Sequence, residues 1–323
     1  MIVRNTVGFA VRTQQALEER AGPGEQPLLF GVDGVVTLHH GRFAAGDRRR
    51  LDAAVEAQIG KSRDPGGRVI VGTQTLEQSL DIDADLLITD LCPMDVLLQR
   101  IGRLHRHARD GRPADYRSPA CIVLMPEDDD LSPWLTRRKD TNGLGPNGFV
   151  YEDLRILEAT ARLVAEHAAN GTSWNIPCMN RALVERSTHP EVLEEITGKM
   201  GEGWREHAIK MEGVYIGDNQ TARQVIIRRD RSFYEENRDV VFPDMEARIR
   251  TRLGDEGVEI TLEPAAPSPL AADGTISHVV VPGHMAHGLT GEEPVPWKAR
   301  DGGFEFIVGD RQFRYDRLGL RRL

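Results

Sequence analysis

Residues 69–107, which read VIVGTQTLEQSLDIDADLLITDLCPMDVLLQRIGRLHRH, decide the fold expected for this chain of 323 residues. Two short apolar runs lie within Arg68–Thr73 and Leu86–Asp90, and an amphipathic segment follows at Pro93–His107. Short apolar runs that alternate with amphipathic segments are typical of buried parallel strands joined by helices. We therefore expect two strands and a helix here, with Pro93 near the first turn of the helix.

The same alternation continues on both sides of this stretch. It predicts strands over Met1–Thr6, Val35–His39 and Ala120–Met125, and helices over Gly8–Arg20 and Asp47–Ile59, the second with Asp47 as N-cap. Further helices are predicted over Tyr151–Ala169, Met179–Arg186, Pro190–Lys199 and Glu202–Met211. Further strands are predicted over Val225–Arg228, Thr251–Arg252 with Val258–Leu262, His278–Val281 and Phe304–Val308. A loop is predicted at Pro264–Pro269. The expected fold class is α/β, with a parallel-sheet lobe over 1–131, a linker and helical segment over 132–224, and a smaller α+β C-terminal domain over 225–323.

Composition narrows the possible classes of protein. The 50 acidic residues outnumber the 41 lysines and arginines, so any contact with nucleic acid requires a local basic surface. One candidate surface is the run Arg100, Arg103, Arg106, Arg109 and Arg112. No run approaches the roughly 20 apolar residues of a membrane span, no signal peptide is recognisable, and the three cysteines form no zinc or disulfide spacing. These features predict a cytoplasmic protein without a membrane partner.

Gln99, Arg103 and Arg106 carry the strongest candidate chemistry. With spacings of four and three residues they share one face of the predicted helix, while apolar residues of the same spacing lie opposite. Two guanidinium groups on a rigid helix are suited to stabilise charge on a transferring phosphoryl group, and a glutamine could orient the attacking water. The alternative is an amphipathic helix with a solvated basic face, and the spacing alone favours that alternative.

The wider pattern is more specific than the helical spacing. The string Q-R-x-G-R-x-x-R at 99–106 is similar to motif six of superfamily 2 helicases, and residues 73–91 resemble motif five of the CRISPR type I effector helicase–nucleases. Residues 3–7, 38–48, 174–191, 251–254 and 315–320 resemble further segments of that family. The chain is thus similar to the second RecA-like lobe, linker and C-terminal domain of this family along nearly its whole length.

The resemblance implies roles for individual residues. Arg103 and Arg106 would contact the ATP γ-phosphate across a cleft, with help from Gln99. The implied ATP-binding residues are Asp81, Asp83, Gly102 and Arg100, and the implied DNA-binding residues are Asn5, Thr6, Arg42, Phe43, Thr73, Gln74 and Ser79. Simpler alternatives stay open, because the two aspartates could be turn residues, Thr6 a helix cap and Phe43 part of the core.

Other parts of a nucleotide-hydrolysing motor are absent from the sequence. Gly60-Lys61-Ser62 lacks the earlier glycine of a P-loop and follows a predicted helix, so we do not expect it to bind phosphate. The acidic runs at 128–130 and 255–256 are expected in loops, and His284 and His287 have no acidic partner, so no metal site is predicted. In the family, the first lobe carries the P-loop and most of the Mg²⁺ site, and a separate His-Asp domain carries the nuclease. The resemblance therefore implies ATP and Mg²⁺ as cofactors, the metal being held mainly by the first lobe.

The preferred function is the C-terminal part of an ATP-dependent single-stranded DNA helicase–nuclease in CRISPR antiviral defence. The implied partners are single-stranded DNA, the Cascade surveillance complex, and a first lobe with a nuclease domain on another or longer polypeptide; the chain alone is expected to be inactive as an ATPase. The alternative is a non-catalytic accessory module that binds DNA or Cascade. An RNA helicase of another superfamily 2 branch fits motif six but not the Leu80–Asp83 run. The motor interpretation requires Gln99, Arg103 and Arg106 to face one cleft.

Overall fold

A small parallel sheet organises the first part of the chain. The computed structural model describes residues 1–63, 66–77, 80–126, 129–135, 150–224, 232 and 257–323. The first six strands are β1 (Ile2–Val3), β2 (Gly31–Val32), β3 (Val35–Val36), β4 (Val71–Gly72), β5 (Leu86–Asp90) and β6 (Ala120–Leu124). Strands β4, β1, β5 and β6 form one parallel sheet in that order, with Ile2 paired to Val71 on one side and to Ile88 on the other. Strands β2 and β3 form an antiparallel pair.

Helices cover this sheet and continue beyond it. They are α1 (Val7–Arg20), α2 (Ala45–Ile59), α3 (Met94–Ile101), α4 (Leu154–Ala169), α5 (Asn180–Thr188), α6 (Pro190–Lys199), α7 (Glu202–Gln224) and the single turn α8 (Gly283–Ala286). Helix α1 begins where the Thr6 hydroxyl accepts a hydrogen bond from the Phe9 N–H at 3.2 Å, which satisfies one otherwise unpaired donor. None of the described helices is long and apolar enough to cross a bilayer.

Within residues 257–323, the structure has six antiparallel strands. They are β7 (Val258–Pro267), β8 (Thr275–Val281), β9 (Trp297–Arg300), β10 (Gly303–Val308), β11 (Arg311–Asp316) and β12 (Gly319–Arg322). Strands β7 and β8 pair as a hairpin, and β9 to β12 form a meander. Aromatic rings fill the inner face of the meander, where Phe304 stacks on Tyr315 with ring centroids 5.2 Å apart and Phe306 stacks on Phe313 at 5.4 Å.

Two hydrophobic cores follow from this arrangement. One contains side chains of β1, α1 and α2, such as Val3, Ala10 and Leu51, and it is continuous with the aromatic core of the C-terminal strands. The other packs α3 against the helices of the middle region and contains Leu97 and Leu157. The C-terminal strands and the parallel-sheet lobe are therefore joined by one apolar core. The domain boundaries at 131 and 224 remain predictions.

Buried polar contacts fix the C-terminal strands to the lobe. The Asp47 carboxylate accepts hydrogen bonds from the Tyr315 hydroxyl at 2.7 Å and from the Ser268 hydroxyl at 2.5 Å. The Arg317 guanidinium donates to both carboxylate oxygens of Glu18 at 2.8 and 2.7 Å, a bidentate geometry that adds directionality to the ion pair. We call this set of contacts, between Asp47 and Glu18 on one side and Tyr315, Ser268 and Arg317 on the other, the C-terminal junction.

The predicted α/β class, with its parallel sheet and smaller C-terminal strand region, is confirmed, and several local predictions are wrong. The helix predicted over Pro93–His107 ends at Ile101, because the next residues turn back and Leu104 forms a parallel bridge with Ala84. Asp47 is not an N-cap, since its carboxylate is used at the C-terminal junction. The predicted loop at Pro264–Pro269 is largely strand, as β7 continues to residue 267, and β9, β11 and β12 were not expected. The strands predicted at 225–228 and 251–252 lie outside the described residues.

Tyr315→Phe is expected to destabilise the chain by about 1–3 kcal/mol, because it removes the buried hydroxyl that donates to Asp47 and accepts from the Ala44 N–H at 3.0 Å. Urea unfolding of the whole chain measures the change. Tyr116→Phe is the matched control, since that ring is 38% exposed, and it should change the stability by less than about 0.5 kcal/mol. Equal effects of the two substitutions would contradict a role for the Tyr315 hydroxyl in the junction.

Candidate functional site

Arg100 lies at the centre of a buried polar cluster. Its side chain is fully buried, and its Nε donates to Glu77 Oε1 at 2.6 Å. Its Nη1 donates to Thr89 Oγ1 at 2.6 Å and its Nη2 to the Tyr151 hydroxyl at 3.0 Å. The cluster ties α3 to the residues after β4, to β5 and to the start of the helical region. The predicted ATP contact of Arg100 is therefore wrong for this structure, because the guanidinium is enclosed by protein groups.

The guanidinium of Arg103, unlike that of Arg100, is hydrogen-bonded to backbone carbonyls and not to side chains of the described residues. Its Nη1 donates to the Leu80 carbonyl at 2.9 Å and its Nη2 to the Glu77 carbonyl at 2.5 Å, while its Nε is buried with no hydrogen-bond partner in the described part of the chain. Backbone carbonyls satisfy donors but do not neutralise charge. No described carboxylate pairs with Arg103, which keeps a positive charge and a spare donor that an anionic ligand would stabilise.

The rest of the arginine run is neutralised by three aspartates that precede it. Arg106 pairs with Asp81 at 3.2 Å, Arg109 pairs with Asp83 at 3.3 Å, and Arg112 pairs with Asp83 at 2.7 Å and also with Asp85. We call these six residues the Asp–Arg ladder. The basic surface predicted from the arginine run is therefore wrong, because most of its charges are used inside the protein.

Asp83 is a structural member of this ladder. Its side chain is fully buried, and it accepts hydrogen bonds from two arginines and from the His107 N–H at 3.3 Å. Burial alone would raise the pKa of this carboxyl, but the hydrogen bonds from Arg112, the His107 N–H and Arg109 lower it below its ordinary value. The ATP contact predicted for Asp83 is wrong for this structure. Asp81 is partly exposed and pairs with Arg106 and His107, so its predicted role at the nucleotide or lobe interface remains a prediction.

Gln99 points to a separate groove. It is exposed near the end of α3 and lines an open cleft of about 690 Å³ between α3 and α5, together with Asp95, Leu98, Asn180, Arg181, Val184 and Glu185. Neither Arg103 nor Arg106 lines that groove, and both follow the C-cap residue Gly102, which is exposed. The prediction that Gln99, Arg103 and Arg106 share one helical face is wrong. The three side chains therefore do not face one cleft, as the motor interpretation requires. The function must be inferred from other observations.

Asn5 and Thr6, predicted to bind DNA, have structural partners instead. Asn5 is 1% exposed, its N–H donates to Asp90 Oδ2 at 2.8 Å, and its Nδ2 donates to the Leu91 carbonyl at 2.7 Å. Thr6 caps α1, as the simpler alternative proposed. Gln74 donates to the Asn5 carbonyl at 2.8 Å and so joins two predicted DNA-binding segments. A DNA contact by the Asn5 side chain is incompatible with its burial.

The remaining predicted DNA contacts separate into buried and accessible residues. Phe43 is buried and stacks on His40 with ring centroids 4.7 Å apart, so it belongs to the core and the base-stacking prediction is wrong. Thr73 is also buried, and its N–H donates to the His39 carbonyl at 3.1 Å. Arg42 is half-buried with its guanidinium near His284. Ser79 lies outside the described residues.

Sequence reasoning missed a second polar cluster next to these residues. His39 is fully buried, with its Nε2 2.7 Å from Asp52 Oδ1 and its Nδ1 2.8 Å from Thr75 Oγ1. Burial, and then the nearby Arg48 charge, lower the pKa of His39 to about 4, so the ring is neutral at physiological pH. The signal in the sequence was a histidine at the end of an apolar run. In the described residues, no group of three histidines, cysteines or carboxylates could hold a metal ion.

Comparison with known proteins identifies the family. Residues 1–109 match the model of the family "CRISPR-associated nuclease/helicase Cas3, C-terminal". The Cas3 protein of Thermus thermophilus is 35% identical over 264 residues, which is 76% of this chain, and that of Escherichia coli is 38% identical over 143 residues, which is 44% of this chain. This chain belongs to the Cas3 family. It spans 26% and 14% of the lengths of these two relatives.

Solved structures of Cas3 have a fold similar to that of this chain. The crystal structure of T. fusca Cas3 covers 99% of this chain with a TM-score of 0.72 at 22% identity, and this chain covers 38% of that chain. The ATP complex of T. fusca Cas3 gives the same TM-score at 23% identity, with 99% of this chain and 38% of that one covered. A chain of a "CRISPR RNA-guided surveillance complex, pre-nicking" gives a TM-score of 0.66 at 23% identity, with 99% and 40% covered. These similarities agree with a parallel-sheet lobe followed by helices and C-terminal strands.

Proposed function

We propose that this chain forms the second motor lobe, linker and C-terminal region of an ATP-dependent single-stranded DNA helicase–nuclease of CRISPR defence. The observation that carries the proposal is the Cas3 family match over residues 1–109, which includes the whole of the predicted motifs five and six. The named relatives are nucleases and helicases. The fold supports the proposal, because a parallel sheet with function at the ends of its strands is the architecture on which nucleotide-driven motors are built.

Arg103 is the residue that we assign to the nucleotide. Its guanidinium has no carboxylate partner within the described ranges, and its buried Nε is unpaired. A γ-phosphate presented by a partner lobe would supply the missing negative charge, and the planar guanidinium would stabilise charge that develops during phosphoryl transfer. Engagement of the phosphate would take the guanidinium away from the Glu77 and Leu80 carbonyls. Those carbonyls belong to motif five, so the same side chain would link the ATP site to that segment.

Arg106 is proposed as a secondary residue of the same site, whereas Gln99 lines the separate groove between α3 and α5 and is not assigned to it. Arg106 is exposed, and in the described part of the chain it has one ion pair, with Asp81, in which both side chains are more than 40% exposed. Exposed pairs of this kind contribute little to stability, so Arg106 is free to exchange Asp81 for a phosphate. Arg42 and Gln74 are the accessible residues that we retain as DNA contacts.

ATP and Mg²⁺ are the proposed cofactors of the complete motor. The described residues offer a side chain for the phosphate of ATP but no ligand set for the metal. Arg103 suits a phosphate, and it would hold and orient the γ-phosphate that ATP supplies. The described residues contain no set of carboxylates suited to Mg²⁺, so no step here runs through the metal. Single-stranded DNA, Cascade and a P-loop lobe with a nuclease domain are the proposed partners, in the cytoplasm.

Reconstitution tests this function directly. Mixing the chain with a polypeptide that carries a Cas3-type first lobe should give an ATPase that is stimulated by single-stranded DNA, whereas the chain alone should show none. The matched control is the same mixture with Arg103→Ala. A mixture that binds single-stranded DNA in a salt-sensitive manner without any ATPase activity would favour the accessory binding module, and preference for single-stranded RNA would favour an RNA helicase branch.

A further inference from the structure

Arg42 is a desolvated cation without an acidic partner. It lies in the loop before α2, close to the C-terminal junction, and none of the described carboxylates comes within ion-pair distance of its guanidinium. Within the described residues, its one side-chain hydrogen bond joins Nη2 to the Nε2 of His284, at 3.2 Å. Burial lowers the pKa of Arg42 to about 10, since no negative charge nearby offsets the lost hydration. A cation in this environment is incomplete without an anion.

His284 approaches Arg42 from the other side of the junction. It is exposed on the short turn α8, which belongs to the C-terminal region, while Arg42 belongs to the lobe. Because a guanidinium only donates hydrogen bonds, the His284 Nε2 must accept, and the ring is neutral in this arrangement. Partial desolvation of the ring, and then the Arg42 charge, lower the pKa of His284 below its ordinary value.

Of the other titratable groups around this pair, His40 is neutral and Arg311 is already paired. His40 lies beside Arg42, accepting a hydrogen bond from its backbone N–H at 3.0 Å, and burial lowers the pKa of His40 to about 3. From β11, Arg311 donates to the carbonyls of Met285, within α8, and His287, which follows it, and its acidic neighbour Asp310 pairs with it at 3.7 Å. Among the described residues, neither group therefore neutralises the Arg42 charge.

We propose that Arg42 and His284 form a phosphate clamp across the C-terminal junction, and that it holds a backbone phosphate of single-stranded DNA. The assignment of His284 rests on the proposed function, which supplies the DNA. A phosphate placed between the two side chains would accept from the guanidinium and would favour protonation of the imidazole, which then donates as well. The lobe and the C-terminal strands would thus grip the same phosphate from two sides.

The clamp predicts that DNA binding is coupled to protonation of His284. Without the anion, the pKa of His284 lies below its ordinary value, and with the anion it rises, so binding takes up a proton. Affinity for DNA should therefore increase as the pH falls through the range in which histidines titrate. His40 does not contribute to this change, because its pKa lies far below that range.

Fluorescence anisotropy with a labelled oligothymidine tests the clamp in the reconstituted motor of chain plus first lobe. The wild-type affinity should rise about threefold to tenfold from about pH 8 to about pH 6. His284→Gln should abolish most of this rise, and Arg42→Ala should weaken binding at every pH and reduce the salt dependence by about one phosphate contact. Arg42→Lys keeps the charge and should retain the salt dependence, which separates loss of the contact from loss of folding.

His278→Gln is the matched control, because His278 is exposed on β8 of the same C-terminal region. This variant should keep the wild-type pH dependence. The clamp is overturned if His284→Gln titrates like wild type, or if inorganic phosphate at millimolar concentration competes fully, since the ligand would then be free phosphate. Absence of DNA binding by the wild-type motor would overturn the proposed function and the clamp together, whereas normal binding with an unchanged His284→Gln profile would overturn the clamp alone.

Discussion

Arg103→Ala in the reconstituted motor is expected to lower ATP turnover about a thousandfold, with a much smaller effect on nucleotide binding. An arginine finger acts mainly in the transition state of phosphoryl transfer, where its loss costs about three to five orders of magnitude. Arg103 is the arginine of motif six whose charge is not neutralised within the described residues and whose Nε lacks a partner. Arg106→Ala should also lower turnover strongly, since its exposed guanidinium is released easily from Asp81.

The measurement is steady-state ATP hydrolysis with saturating single-stranded DNA, alongside equilibrium binding of a fluorescent nucleotide. Arg117→Ala is the matched control, because Arg117 is an exposed arginine shortly after the same run, and its turnover should equal that of wild type. Arg103→Lys should recover only part of the rate, since an ammonium lacks the planar fork of donors. Turnover within about threefold of wild type in Arg103→Ala would remove this residue from the catalytic assignment.

Arg100→Ala is expected to destabilise the chain by roughly 3–5 kcal/mol, the largest effect on stability that we predict. Removing one partner of a buried ion pair leaves the other charge buried and uncompensated. The substitution would leave Glu77 without this ion pair and would remove hydrogen bonds to Thr89 and Tyr151. Because these partners come from three separate segments, the loss should affect cooperative unfolding of the lobe and not one loop.

Urea unfolding of the whole chain provides the measurement. Arg181→Ala is the matched control, since its pair with Glu185 involves side chains that are 88% and 56% exposed, and it should cost less than about 0.5 kcal/mol. The double substitution Arg100→Met with Glu77→Leu should recover much of the stability, because well-packed apolar residues often replace a buried ion pair at little cost. A double variant as unstable as Arg100→Ala would show that packing of the arginine stem, and not charge, is responsible.

Local patterns predicted the elements that local forces control. Strand β5 has the predicted bounds Leu86–Asp90, because a compact apolar run followed by an aspartate and a proline leaves few alternatives. Helix α6 likewise has the predicted bounds Pro190–Lys199, since proline at its first position fixes where it starts. The prediction of a RecA-like lobe followed by a linker and a C-terminal domain came from the sequence motifs that resemble those of the helicase–nuclease family.

The side chains of the candidate site were harder to predict, because distant segments decide their partners. The apolar spacing of Leu97, Ile101 and Leu104 suggested a continuous helix, but Leu104 belongs to a bridge with Ala84, twenty residues earlier in the chain. The aspartates of the Asp–Arg ladder occur at every second residue and its arginines at every third. That complementary spacing was visible in the sequence, and it could have indicated that the arginines face aspartates and not DNA.

Burial explains the other errors at the site. Asn5 and Phe43 have side chains that suit nucleic-acid recognition, yet both are used inside the lobe. Phe43 is covered partly by Tyr315, with ring centroids 6.3 Å apart, and no local pattern reports a contact made across so many residues. Residue type alone therefore overestimated the DNA-binding surface.

The C-terminal junction has a consequence for the order in which the chain folds during synthesis. Asp47 and Tyr315 are 268 residues apart and Glu18 and Arg317 are 299 apart, so the ribosome makes the first partner of each pair long before the second. At typical elongation rates of about 5–20 residues per second, α2 waits on the order of tens of seconds for the residues that complete its core. Through that interval Phe43 is not packed against Tyr315, and the Asp47 carboxylate lacks its native hydrogen-bond donors. We therefore expect the newly made lobe to be most prone to aggregation before the C-terminal strands have been synthesised.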